Sequence, residues 1–284
     1  AIVKIARQHN VPIVPRGAGT GLSGGAIPTQ GGIMMALTRM TRITEIDPEN
    51  RLAIVEPGVV NIDLSVAASQ YGLYFAPDPS SQKACTIGGN VAENSGGPHC
   101  LAYGVTTNHV LGMEVVLADG TIAWVGGRTQ ESPGLDLRGI LIGSEGTLAI
   151  TTKIVVKLLR EPEAVRTLLA VYTNLDDGSA AVSDIIGSGI VPAAIEMMDG
   201  LMIKAAEPAV HAGYPPDADA VLLVEVEGLR ESVEEESDLI QEVCRRHNPV
   251  EIRTAEDAEQ REKLWAGRKG ALGALGRLAP NYYL

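Results

Sequence analysis

The sequence predicts an α+β fold in two parts, and two observations carry that expectation. Of the 32 glycines, 22 lie before residue 150, so the first part is rich in strands and turns and the second is not. Short β runs follow one another through the first part, whereas strand and helix patterns alternate in the second. The change falls at Arg160-Glu161-Pro162-Glu163, a charged, proline-containing stretch that reads as a linker. It places the domains at 1–160 and 161–284.

Within the first part, residues 1–6 read as the middle of a helix. Strands are expected at 11–14, 33–37, 43–46, 52–55, 112–117, 121–125 and 147–156, with Asp119-Gly120 as a hairpin turn. A helix is expected over 61–71, ended by Gly72. In the second part, 167–172 and 221–227 read as strands, Glu225 and Glu227 alternating with Val224 and Val226. Val182, Ile185 and Ile186 have helical spacing, and Val233, Ile240, Val243 and Cys244 line one face of an acidic helix. Residues 258–278 read as a helix loosened by Gly267, Gly270, Gly273 and Gly276.

Composition bounds what such a chain does. With 45% apolar and 20% charged residues it can bury a core of ordinary size. A net charge of −12 and no Lys/Arg-rich run exclude a nucleic-acid footprint, and an anionic membrane would repel it. Cys85, Cys100 and Cys244 have no paired spacing and read as reduced, intracellular thiols. No apolar run approaches the ~18 residues of a membrane span, so an integral membrane protein is not expected. No initiator Met is present, and 281–284 follow directly on a helical stretch. The chain is therefore expected to be cut from a longer protein, with an N-terminal strand and part of the second domain outside it.

Against this acidic background, an anionic ligand has to be held locally. Arg16-Gly17-Ala18-Gly19-Thr20-Gly21-Leu22-Ser23-Gly24-Gly25 is the segment equipped to do so. Gly19, Gly21 and Gly24 match G-x-G-x-x-G, but a Rossmann fingerprint needs a helix to open there. Pro28, Gly31 and Gly32 forbid one, and a strand-like run follows. The loop therefore joins two strands. Five glycines in ten residues carry a large ordering entropy unless backbone must approach a ligand closely. Inward-turned amides form an anion cradle, Thr20 and Ser23 add hydroxyls, and Arg16 adds one charge. A flexible surface loop is the alternative, and the density of special residues weighs against it.

A second stretch runs from Pro77 through Ser80-Ser81 to Thr86-Ile87-Gly88-Gly89-Asn90-Val91-Ala92-Glu93-Asn94-Ser95-Gly96-Gly97. Small and polar side chains there leave room for a flat ring and can bond its edge; a tight turn pair is equally compatible. A third, Gly143-Ser144-Glu145-Gly146-Thr147-Leu148-Ala149-Ile150, leads into a strand.

The three segments, in this order, resemble the flavin-binding segments of the PCMH-type (vanillyl-alcohol oxidase) FAD family, and within it the bacterial glycolate oxidase FAD subunits and D-lactate dehydrogenases. The resemblance runs over nearly the whole chain. It implies a PCMH-type FAD-binding domain of two α/β subdomains, followed by part of a ferredoxin-like α/β cap domain that binds substrate. It assigns Arg16, Gly17, Ala18, Gly19, Thr20, Gly21, Leu22 and Ser23 to the FAD diphosphate. Pro77, Ser81, Thr86, Gly88, Gly89 and Asn94 fall to the flavin and ribityl side, and Glu145, Gly146 and Ile150 to further contacts with FAD. One departure is Ala149, where the family usually has Gly.

The family oxidises a small 2-hydroxy acid such as glycolate or D-lactate by hydride transfer to flavin N5. Leu264-Trp265-Ala266-Gly267-Arg268 resembles its Leu-Trp-x-x-Arg helix, which makes Arg268 the candidate for the substrate carboxylate; a solvated helix cation is the alternative. The family's base and metal-binding histidines would lie beyond Leu284, and no metal site is expected among the five histidines present. His99 reads as a hydrogen-bonded structural residue before a flavin neighbour. Cys85 and Cys100 read as small buried residues before nucleophiles. An iron–sulfur protein or a second flavin-fold subunit is the partner the resemblance suggests, with a cytoplasmic location, peripheral to the inner membrane through that partner. A different flavin chemistry, or a non-catalytic flavin-fold subunit of a larger oxidase, is the competing reading.

Overall fold

The computed structural model describes residues 1–131 and 134–278. Its contacts divide the chain into two units, Ala1–Glu161 and Pro162–Leu284.

The first unit begins with α1 (Ile2–Gln8), β1 (Ile13–Arg16) and β2 (Ile33–Ala36). Next come β3 (Ile43–Asp47), β4 (Leu52–Val55), α2 (Asn61–Ser69) and the short β5 (Leu73–Tyr74). Helices α3 (Ile87–Glu93) and α4 (Cys100–Tyr103) lead to a hairpin of β6 (Val110–Leu117) and β7 (Ile122–Gly126). Then α5 (Arg138–Leu141), β8 (Ala149–Lys157) and β9 (Leu159–Arg160) complete the unit. Strands β1 and β2 pair in parallel as a small sheet of their own. The larger sheet is antiparallel, in the order β3-β4-β8-β6-β7. Its apolar face buries Met113, Val115, Ile154 and Val156 against Leu64 of α2, Phe75 and Ile87 of α3, the burial that holds α3 against the sheet.

Strand β1 starts two residues later than the apolar run suggested. Residues 9–11 instead finish α1: Asn10 takes the left-handed conformation (φ 52°) and the Val11 amide donates to the Ala6 carbonyl at 2.8 Å.

The second unit runs β10 (Ala164–Tyr172), α6 (Leu175–Gly187), β11 (Ala194–Asp199), α7 (Gly200–Val210), β12 (Ala220–Gly228), α8 (Arg230–Arg245), β13 (Glu251–Thr254), α9 (Ala258–Leu278). Its sheet order is β11-β12-β10-β13, antiparallel throughout. This is the ferredoxin-like order, with α7 added between its second and third strands and α9 after its last. Helices α6 and α8 cover one face through Ala181, Ile185, Val233, Ile240 and Val243. Helices α7 and α9 cover the other through Ile203, Ala206, Leu264, Trp265 and Ala271. The helix expected over 258–278 forms without interruption, and Gly267 is where the Tyr214 ring lies against it, in the space a Cβ would take. Residues 281–284 lie outside the described residues.

Candidate cofactor site

The loop between β1 and β2 has no helix in it, so the Rossmann reading is excluded on structure as well as sequence. Its main feature is unmet hydrogen-bonding capacity. Among the described residues, no acceptor takes the backbone amides of Gly17 through Ala26; the next amide to be used is that of Ile27, which donates to Gly24. Residues 19–25 are exposed, so these donors are open to a ligand in place of water, and all of these residues but Ser23 border a cavity of about 540 Å³. Gly19 and Gly24 have φ of +76° and +81°, backbone that favours glycine. A Cβ on Gly17 would stand 2.6 Å from the Thr86 hydroxyl, and one on Gly19 would stand 2.6 Å from the Arg16 guanidinium. The guanidinium lies along the loop and donates to the Ala18 carbonyl at 3.4 Å.

The second segment corrects an expectation. Residues 87–93 form the helix α3 where a glycine-bracketed loop or a tight turn pair was anticipated. Thr86 caps it, its hydroxyl accepting from the Gly89 amide at 3.4 Å, and Asn94 ends it in the left-handed conformation. Gly88 is required by packing, since a Cβ there would come within 3.0 Å of the Pro57 backbone. Beneath the helix, the fully buried Asn61 donates through Nδ2 to the Pro77 carbonyl and to Asn90 Oδ1, both at 2.9 Å. That network ties α2, the Pro77 turn and α3 together.

The third segment joins the same surroundings. The Glu145 amide donates to the Ala92 carbonyl at 2.8 Å, and Glu145 itself has φ +52°, an unusual conformation for a residue with a side chain. Arg16, Gly17, Ala18, Gly19, Thr20, Gly21, Leu22, Ser81, Thr86, Gly89 and Glu145 all line the main cavity. Gly88, Gly146 and Ile150 line a smaller recess of about 50 Å³, which Arg16, Gly17, Gly89 and Glu145 also border. Three sequence-predicted residues line neither. Pro77 serves the Asn61 network, Asn94 accepts from the Thr107 amide at 2.9 Å, and the Ser23 hydroxyl turns to Glu93.

Sequence reasoning missed Glu93, Asn90 and Cys85 in this cavity. Glu93 matters for charge. Although the residue is exposed, partial desolvation foremost, then the neighbouring Glu145 carboxylate, push its carboxyl above the usual range, and the Ser23 hydroxyl partly offsets this. Cys85 is buried, as expected, with Sγ 3.4 Å from Asn90 Nδ2; Cys100 is only half-buried, and its Sγ accepts from the Gly97 amide at 2.8 Å. His99 is hydrogen-bonded to Asp78 at 2.9 Å, as a structural histidine would be.

In the second unit, Arg268 projects from α9 and donates through Nε to Glu196 at 2.8 Å. The indole of Trp265, one turn earlier, donates to the buried Glu225 at 2.7 Å; the Thr167 hydroxyl donates to the same carboxylate oxygen. Alternation had put Glu225 with the polar positions of its strand, yet it is 5% exposed. A polar hydroxyl and an indole on facing elements were the signal that could have revealed it.

A cradle of unpaired amides, one adjacent guanidinium and glycine-limited approaches is the equipment of a domain that binds a diphosphate-bearing nucleotide; the residues fit FAD. Comparison with known proteins names the family. Residues 1–126 match the model of an FAD binding domain, and residues 161–284 match the C-terminal domain of FAD linked oxidases. The chain belongs to the PCMH-type family of FAD-linked oxidases. It is 47% identical over 283 residues to the glycolate oxidase subunit GlcD of Escherichia coli K12, covering 100% of this chain and 57% of that protein. The Bacillus subtilis GlcD is 45% identical, with 100% and 60% covered, and a D-lactate dehydrogenase of Anaerostipes hadrus is 35% identical, with 97% and 59% covered. The chain thus spans under two-thirds of the length of these relatives. Among solved structures, alkyldihydroxyacetonephosphate synthase shares the fold with a TM-score of 0.78 at 21% identity, covering 98% of this chain and 53% of that one. p-Cresol methylhydroxylase does so with 0.78 at 20%, covering 95% and 60%.

Proposed function

We propose that this chain holds FAD in residues 1–160 and contributes residues 161–284 to a substrate domain, for the oxidation of a small 2-hydroxy acid of the glycolate or D-lactate type. The observation that carries the reading is the run of amides at Gly17 through Ala26, left without acceptors beside a 540 Å³ cavity. An acidic protein has few other ways to hold two phosphates: neutral N–H dipoles attract the anion without requiring a basic surface.

Bound FAD would supply the electron sink that accepts hydride from the substrate α-carbon. The chain's residues would do the rest. The loop amides and Arg16 bind the diphosphate, Gly17 and Gly89 let backbone close on the cofactor, and α3 presents Thr86 and Asn90 to the cavity. Arg268 pairs with the substrate carboxylate. That relatives are named as subunits supports a protein partner; an iron–sulfur protein or a second flavin-fold chain is the kind of partner proposed, with a cytoplasmic location peripheral to the inner membrane through it. No helix among the described residues is long and apolar enough to cross a membrane. Anaerobic addition of glycolate or D-lactate to the FAD-loaded full-length protein tests the chemistry. Bleaching of the flavin band by 2-hydroxy acids, and not by aryl alcohols, is the expected result; a flavin band left unchanged by both acids refutes it.

A further inference from the structure

Arg268 is held in a particular way. Strands β11 and β12 are neighbours, with Ala194 opposite Glu225 and Glu196 opposite Leu223. Side chains of paired and next-but-one residues share a face, so Glu196 and Glu225 stand on the sheet face that α9 covers. Trp265 and Arg268 are three apart on α9 and therefore share a helix face. Each finds one of the two carboxylates: Trp265 meets Glu225, and Arg268 meets Glu196.

The contact to Arg268 is made through Nε alone, at 2.8 Å. A guanidinium has five N–H donors in a planar fork, and its Nη1/Nη2 edge is the one that matches a second carboxylate with two parallel bonds. Glu196 occupies the other side. Within the second unit no acceptor meets Nη1 or Nη2 among the described residues. The pair is half-buried, with side-chain exposures of 32% and 22%, so it is shielded enough to hold one geometry and open enough to receive a ligand.

We propose that Glu196 is a positioning residue: by taking Arg268 Nε it fixes the guanidinium plane so that the outer edge presents a two-point site for one substrate carboxylate. This rests on the assignment of Arg268 to that carboxylate. Glu196 touches no reacting atom, and its influence passes through Arg268. It belongs to substrate binding and not to the oxidation step, so its removal acts on KM more than on kcat.

The test is a double-mutant cycle in the FAD-loaded full-length protein, turning over glycolate or D-lactate with an artificial electron acceptor. Flavin content and melting temperature are measured for each variant. R268A is expected to raise KM about a hundredfold. E196A is expected to raise it about tenfold with kcat within about twofold, and the double variant to be no worse than R268A. E196Q keeps an acceptor of the same size facing Nε and is expected to restore KM to within about threefold of the starting protein. Additive effects in the double variant, or a rise in E196Q equal to that in E196A, overturn the proposal. Should E196A lose its fold, E196L, which keeps the bulk but offers Nε no acceptor, takes its place beside E196Q with the same thresholds. A KM unmoved by R268A instead removes the Arg268 assignment beneath it, and so separates the two failures.

Discussion

Glycine positions in the first loop make the sharpest residue-level prediction. Gly19 combines φ +76° with a Cβ position 2.6 Å from Arg16, and Gly21 would bring a Cβ to 3.1 Å from the Glu93 carboxylate. A valine at either position strains the loop or displaces a cavity side chain. G19V and G21V are each expected to weaken FAD affinity at least tenfold, by fluorescence titration, while the fold is retained. Glu93 gives a pH prediction. Its carboxyl titrates above its unfolded value of 4.5 because it is partly desolvated and stands beside the Glu145 carboxylate. The native state therefore binds the extra proton, and this group's contribution to stability falls as pH rises from about 4.5 through the raised value. Replacing the charge by E93Q should raise the melting temperature at pH 7 and flatten its decline over that window. Equal melting curves for the two proteins at pH 5 and pH 7 would contradict it.

Among the elements, α3 depends on contacts that its own sequence does not advertise. Asn61→Leu would strand the Pro77 carbonyl and Asn90 Oδ1 in a dry interior, at a cost of about 2–3 kcal/mol in denaturant unfolding. Thr86→Ala would remove the cap at a cost of about 1 kcal/mol. The same elements show how much of the fold the sequence revealed. Alternating and β-branched runs such as 43–46, 52–55 and 112–117 were legible because local pattern and tertiary burial agree there. The segment Ile87-Gly88-Gly89-Asn90 was not, because two glycines argue against a helix that is stabilised by burial of Ile87, Asn90 and Val91 and by its cap. β11 and α7 were also missed. Pro192 and Pro208 mask their periodicity, although Asp199, which accepts from the Met202 amide at 2.8 Å, was a readable cap signal. In the cavity, the glycine and hydroxyl positions were legible from clustering. Glu93 was not, because an exposed helix charge has no local signal that tertiary packing sets it beside the glycine loop.

For the whole molecule, net charge and ligand charge have the same sign, and the account requires neutral amides to overcome that. At −12 the protein repels an anion at long range. Salt shortens the reach of that repulsion from about 30 Å at 0.01 M to about 8 Å at 0.15 M. FAD affinity is accordingly expected to hold or strengthen as salt is raised over this range, the reverse of a site built on a basic surface. The most direct measurement is a titration of the purified flavin-free chain with FAD, set beside the same titration of G19V. The account predicts saturable binding of one FAD per chain, lost or at least tenfold weaker in G19V. No binding to the starting protein, or equal binding to both, would contradict it.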